Sequence, residues 1–365
     1  MDFFNKIIYN EDYLSFLTTN IPTCFINGMR RTLLSDIKSY AFDKVDIKKN
    51  TSILHNEILT HRINLIPLSI SNHIKIKLEV TNKTEEMINV TSNDIEILEG
   101  GNSIIPDILL VKLNPLESIH LEATTNFDSG RVNAKYQPVS LISFKILELV
   151  KINNIKKWKK LNKNNKKALF ELCNKKMNML KPYIRTENDI FGYFEECDRS
   201  YLLIEEINKY AKLIFFNEDV KDLFSIETFK YNKNNVYKFE LETMGQDSKS
   251  LLLKSIRKIR EKLLELKNKN INLQEHNVMK NCTTFILHDE KHMIGNILEY
   301  SLLNISNVEL ATYVLKHPLD PFITLTFKLK NRNNNDFSDY TDVYIECINN
   351  SIDFCNKMEE SYLNL

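Results

Sequence analysis

"PTCFINGMRRTLLSDI" (Pro22–Ile37) reads as one helix with two faces. Ile26, Met29, Leu33 and Ile37 recur at steps of three and four, the spacing that turns one side of an α-helix toward a core. Asn27, Arg31, Leu34 and Lys38 fall about 100° away, on a second, mixed face. Gly28 costs a helix interior about 1 kcal/mol relative to alanine, which points to the close approach of another backbone. Arg30 and Arg31 have two readings. Either their heads lie in solvent with the stems over a sheet, or they are offered to something outside this fold.

The same pattern returns far downstream. "FLTTNIPTCFINGMRRTLL" (Phe16–Leu34) lies over "FILHDEKHMIGNILEYSLL" (Phe285–Leu303) without a gap, at a constant offset of 269 residues. Phe16 meets Phe285, Asn27 meets Asn296, Met29 meets Leu298, and Leu33-Leu34 meets Leu302-Leu303. "IKSYAFDKV" then matches "NVELATYVL", so a strand, a helix and a second strand are expected twice.

Each copy should close with a further strand and a long helix. In the second, "PFITLTFKLK" alternates Ile323, Leu325, Phe327 and Leu329, the period of a half-buried strand. From Ser338 onward Tyr344, Cys347, Ser351, Cys355, Met358 and Tyr362 mark one side of a helix. In the first copy the equivalents come only at "NVYKFELETMG" and then at Leu252, Ile256, Ile259, Leu263 and Leu266, with Asp247 or Ser248 as cap. The first copy is therefore split, with other material inserted after Asn50.

An apolar helix stripe on a single sheet needs a cover, and a sister copy related by a pseudo-two-fold axis supplies it. The polar spacer "NKNINLQEHNVMKN" has 14 residues; as a flexible chain it spans about 20 Å and holds the copies at roughly millimolar effective concentration. The expected fold is α+β: two dimerisation modules, each a sheet with long helices, paired pseudo-symmetrically, with a mixed α/β domain inserted in the first. The boundaries read as 1–50 with 226–267, an insert at 51–225, a linker at 268–281, and a second module at 282–365.

Composition excludes several classes of protein. Apolar residues make up 43% and charged residues 27% of the 365, with a net charge of +1, which fits a folded chain better than one gripping nucleic acid with its whole surface. No apolar run reaches the roughly 18 residues of a membrane span, and the first residues lack the order of a signal peptide, so an intracellular, soluble protein is expected. The seven glycines permit neither G-x-G-x-x-G nor G-x-x-x-x-G-K-[ST]. The six cysteines never stand at C-x-x-C spacing, which favours buried thiols over zinc or disulfides.

"INGMRRTLLSDIKSYAFDKVDIKKNTSILHNEILTHRINLIPL" (Ile26–Leu68) resembles the signature of the α-like subunits of multi-subunit DNA-directed RNA polymerases, with its N-x-x-R-R, N-T-S-x-[LM] and H-R-[LI] elements. The downstream copy, with "HPLDPFITLTF", resembles the smaller α-like partner of the eleventh-subunit type through H-x-x-G-N-x-[LI], here His292, Gly295, Asn296 and Leu298. "SGRVNAKYQPVS" (Ser129–Ser140) resembles G-x-x-x-[HN]-A-K-[WY]-x-P, and "YKFELETMGQDSKSLLLKSI" resembles the strand and helix that close the third-largest subunit's dimerisation domain.

The resemblance implies a non-catalytic assembly platform that fuses both α-like subunits, an arrangement seen in large DNA viruses transcribing in the host cytoplasm. Virion and host cytoplasm are the implied locations. The second-largest subunit would dock first, then the largest, with small polymerase subunits as further partners. DNA would be met only through the assembled enzyme. Asn27, Arg30, Arg31, His61 and Arg62 are assigned to the second-largest-subunit interface, where guanidinium forks bind carboxylates or carbonyl oxygens in pairs. Leu252, Ile256, Ile259, Leu263, Cys347, Cys355 and Met358 belong to the helices that join the copies. No cofactor, metal or catalytic residue is implied. Departures from the family are Gly28 in place of alanine, Asp36 in place of glutamate, a missing proline at Lys38, and the absence of a zinc loop.

Two other constellations carry rival readings. "HNEILTH" separates His55 and His61 by six positions with Glu57 between, not the H-E-x-x-H spacing of zinc hydrolases, so an interface histidine is favoured over an enzyme. Lys151–Lys181 holds 11 lysines, one acid and Trp158. A solvated helix face is the plain reading, and a stand-alone nucleic-acid-binding or virion structural protein is the alternative.

Overall fold

The computed structural model describes residues 3–18, 20–69, 72–101, 104–152, 190–194, 224–227, 236–243, 245–269, 272–275, 282–330 and 338–364. The lysine-rich run 153–181 lies outside the described residues.

The chain begins with β1 (Asn5–Asn10), β2 (Tyr13–Thr18) and α1 (Thr23–Ser35), followed by β3 (Lys38–Asn50) and α2 (Asn56–Asn64). Five strands follow: β4 (Lys75–Thr81), β5 (Ile88–Thr91), β6 (Ile95–Glu99), β7 (Leu109–Leu113) and β8 (Ser118–Ser129). Next come β9 (Val139–Ile146), β10 (Glu148–Ile152), β11 (Ile190–Phe194), β12 (Phe224–Glu227), β13 (Tyr237–Thr243) and the helix α3 (Ser248–Asn268). The remainder is β14 (Asn272–Glu275), β15 (Cys282–His288), α4 (His292–Leu303), β16 (Val308–Val314), β17 (Phe322–Leu329) and α5 (Ser338–Leu363). The fold is α+β, and all pairing between these strands is antiparallel.

The two copies build matching sheets, β1-β2-β13-β9 and β14-β15-β17-β16. Phe16 stacks on Phe239 at 5.0 Å in the first, and Phe285 stacks on Phe327 at 5.1 Å in the second. The helices of both sheets share one core. Ile26, Met29 and Leu33 of α1, the α3 residues Leu252, Ile256, Ile259 and Leu263, Leu298 of α4, and Cys347, Cys355 and Met358 of α5 all have 0% exposure. Burying an aliphatic side chain in this way contributes about 1.5–3 kcal/mol each. Polar bonds fasten the same seam. Arg257 Nε donates to Glu359 Oε1 at 2.7 Å, Arg260 Nη1 to Asn356 Oδ1 at 3.0 Å, and Arg260 also pairs with Glu359.

A second core lies under the four-stranded sheet β3-β8-β4-β6, where Phe42, Leu59, Ile63, Ile76, Leu78 and Leu121 are buried. The strand pairing draws the boundaries differently from the sequence. β3 leaves α1 for this second sheet and pairs with β8 along its length. The edge of the first sheet matching β16 is filled instead by β9, which pairs with β13. The physical reason is that alternation along "IKSYAFDKV" marks a strand without naming its partner. The spacer also differs from a flexible linker, since β14 pairs with β15.

Local signals explain the helix ends. Asp247 Oδ2 accepts from Ser250 N at 2.8 Å and caps α3. The last carbonyls of α1 are met by the chain returning from the insert, where Arg131 N donates to Ser35 O at 3.0 Å. A β-carbon on Gly130 would stand 2.2 Å from Leu34 O, so only glycine fits at this return.

Candidate functional site

The outward residues form two groups on the two cores. The first lies where α1 packs against α4. Arg30 is half-buried and donates from Nε at 3.2 Å and Nη2 at 2.9 Å to Asn27 Oδ1, one turn earlier. Arg31 is exposed, with no ion pair among the described residues. Its charge reaches across to the second copy. Burial pushes the Tyr313 phenol up and Glu299 adds to that, while Arg31 and the Asn296 side chain work against it.

Tyr313 is the hub that the second motif surrounds. Its hydroxyl is 3.1 Å from His292 Nδ1 and its ring meets the imidazole edge-on. The same ring lies flat on Gly295, where a β-carbon would be 2.5 Å from Cδ2. His292, Gly295 and Asn296 thus converge on one tyrosine, whereas Leu298 faces the core. Sequence reading missed Tyr313, whose only signal is an aromatic among alternating residues of "VELATYV".

Gly28 is corrected by the structure. What comes near it is not backbone but the methyl ends of Ile259 and Ile297, at 3.4 and 3.5 Å from a built β-carbon, with Met293 Cγ at 3.7 Å.

A partly buried charge cluster centres on the end of α1. Asp36, at the end of α1, takes Arg131 Nη2 at 2.8 Å and Lys262 Nζ at 2.5 Å, joining α1, the insert's return and α3. Burial alone would raise its carboxyl; Lys262 and Arg131 outweigh that and hold it below the usual value. Glu290, just before α4, is 7% exposed, and burial pushes its carboxyl up to about 7 against the pull of Lys262, Lys269 and Arg131.

The second group lies on α2, which packs on β3 and β7. Leu59 and Ile63 are buried, while Ile58, His61, Arg62 and Leu65 stand one, three and four positions apart as a single exposed stripe. Arg62 Nη2 donates to Leu109 O at 2.7 Å, which fixes the guanidinium on the surface. Glu57 in the first turn and Arg62 in the last also suit the helix dipole, worth about 0.3–1 kcal/mol each. His55 precedes the helix at its N-cap. Among the described residues no three His, Cys, Asp or Glu side chains group as metal ligands. Burial pushes the thiols of Cys24 and Cys355 up to about 12.

Residues 15–263 match the family described as RNA polymerase Rpb3/Rpb11 dimerisation domain, and residues 282–361 match a second family of the same description. The chain belongs to the Rpb3/Rpb11 dimerisation-domain family. It carries two such domains, and they are the two copies whose helices share one core. The chain is similar to DNA-directed RNA polymerases I and III subunit RPAC1 of Saccharomyces cerevisiae, 24% identical over 295 residues, 68% of this chain and 82% of that protein. It is 27% identical over 257 residues to a conjugation stage-specific protein of Tetrahymena thermophila, covering 58% of this chain and 81% of that one. DNA-directed RNA polymerase subunit Rpo3 of Thermococcus kodakarensis is 26% identical over 162 residues, 41% of this chain and 62% of the archaeal subunit. No helix among the described residues is long and apolar enough to cross a membrane.

Proposed function

We propose that this chain is the non-catalytic assembly platform of a DNA-directed RNA polymerase, holding both α-like subunits as one polypeptide. The observation that carries the reading is the shared core: two Rpb3/Rpb11-type domains bury their helices against each other within one chain. What a separate heterodimer would do by association is done here intramolecularly. The outward groups are then free for larger partners. Asn27, Arg30 and Arg31 on α1, and the Ile58, His61, Arg62 and Leu65 stripe on α2, form the surface for the second-largest subunit; the largest subunit and the small subunits join afterwards. In this reading strand pairing divides the insert into two pieces, β3 to β8 and β10 to β12, on either side of β9. DNA is met only in the assembled enzyme, and the viral setting, in virion and host cytoplasm, fits the fusion of two subunits.

Co-expression with the second-largest subunit of the same polymerase tests this. A complex that survives high salt is predicted, and Arg31→Glu should break it while leaving the chain folded. Binding to nucleic acid alone, lost steeply with salt and indifferent to Arg31, is the opposite outcome.

A further inference from the structure

Three loops meet at the end of the insert that lies far from the paired copies. β3 carries the chain there over 13 residues, a rise of about 40 Å. Thr51 N donates to Ser118 O at 3.0 Å and Ser118 N to Thr51 Oγ1 at 2.7 Å. Leu116 N donates to Asn82 O at 3.0 Å. Segments 51–55, 82–87 and 114–117 are thereby stitched together. They carry Leu116 at 88% exposure, the highest of any large apolar side chain among the described residues, with Ile53 at 77% and Met87 at 58%.

Leu116 is also held in a backbone conformation that leucine resists. Asn114-Pro115-Leu116-Glu117 is a tight turn closed by Glu117 N to Asn114 O at 3.1 Å. Pro115 fixes the second position, and Leu116 takes φ +68° at the third, where such a turn favours glycine. The Glu117 carboxylate accepts from Asn114 N at 2.8 Å and Asn114 Nδ2 at 3.3 Å, and Asn82 Nδ2 donates to Leu113 O at 3.0 Å, so side-chain bonds hold the turn from both sides. A side chain that strains its own backbone and buries nothing at home gives the isolated chain no benefit.

We propose that Leu116, supported by Ile53 and Met87, is an apolar anchor that enters a pocket on the second-largest polymerase subunit. The inference rests on the docking reading above and extends its surface. Continuity names the partner. Asn50 Nδ2 donates to Leu54 O and to Asn56 Oδ1, both at 2.8 Å, which fastens the Ile53 loop to the first residue of α2. One surface therefore runs from Leu65 through Ile58 and Ile53 to Leu116. Exposed Glu85 and Glu86 flank the tip and outnumber the exposed Lys83 of the same segment, so the receiving pocket should have a basic rim. A pre-set aliphatic anchor loses little freedom on binding, which is how such residues come to dominate an interface.

The test uses the full chain and the second-largest subunit of the same polymerase, with Kd and Tm measured at fixed salt. Leu116→Gly should raise Tm by about 1 °C by relieving the turn and weaken binding roughly tenfold or more. Leu116→Asn, which tolerates the same backbone, should weaken binding equally. Unchanged affinity in both variants, with Ile58→Asp still weakening it, overturns the anchor and leaves the docking reading standing. Indifference to all three substitutions, with Arg31→Glu also without effect, overturns both. A fall in Tm for Leu116→Gly makes the leucine structural and also ends the proposal.

Discussion

Gly28 and Ile297 face each other where α1 crosses α4, and they are equivalent positions under the 269-residue repeat. A residue near a two-fold axis meets its own mate, so here a glycine on one helix leaves the volume that an isoleucine on the other fills. The nearest methyl groups, 3.4 and 3.5 Å from a built β-carbon, are at ordinary contact distance. Gly28→Ala should therefore fit and stabilise the chain by about 1 kcal/mol through helix propensity. Gly28→Leu should overfill the crossing and cost about 1–3 kcal/mol. Midpoints of denaturant unfolding measure both.

Gly295 makes the opposite prediction. A β-carbon there would enter the Tyr313 ring at 2.5 Å, so Gly295→Ala should destabilise the chain by about 1–3 kcal/mol. In a Tyr313→Ala background the ring is gone, and the same change should become favourable by about 1 kcal/mol. A double-mutant cycle reads the coupling; additive effects contradict the contact.

Glu290 links stability to pH. Its folded carboxyl is raised from 4.5 to about 7 by burial, with Asp36 adding to this and Lys262, Lys269 and Arg131 opposing; the Tyr344 phenol is also close. The folded state therefore binds the proton more tightly than the unfolded one. The resulting stability is fully present below pH 4.5 and is lost as pH rises through about 7, at a cost of about 3 kcal/mol. Glu290→Gln should unfold at higher denaturant than the parent at pH 8 and at nearly the same denaturant at pH 4.5. Equal differences at both values contradict this account.

Periodicity made the helix faces and the closing strand-helix pairs readable, because Ile26, Met29 and Leu33 or Leu252, Ile256 and Ile259 leave one stripe that only a core accepts. It did not reveal that β3 deserts its copy or that β9 replaces it, since alternation fixes a face and leaves the partner strand open. The arginine and histidine positions were visible as motifs. Tyr313, Glu290 and the Asp36–Lys262 pair were not, because their meaning depends on contacts between segments more than 200 residues apart, as from Asp36 to Lys262, or on a ring lying over a glycine. Leu116 was hidden for a related reason: a proline and a leucine in a turn announce neither the backbone angle nor the exposure.

Two dimerisation domains that pair within one chain should leave a surface for a single larger partner. Sedimentation of the purified chain, alone and with the second-largest polymerase subunit, decides between this and self-association. A monomer that forms a one-to-one complex is expected. A chain that dimerises with itself through the α1 and α4 helices, or that forms no complex, would contradict it.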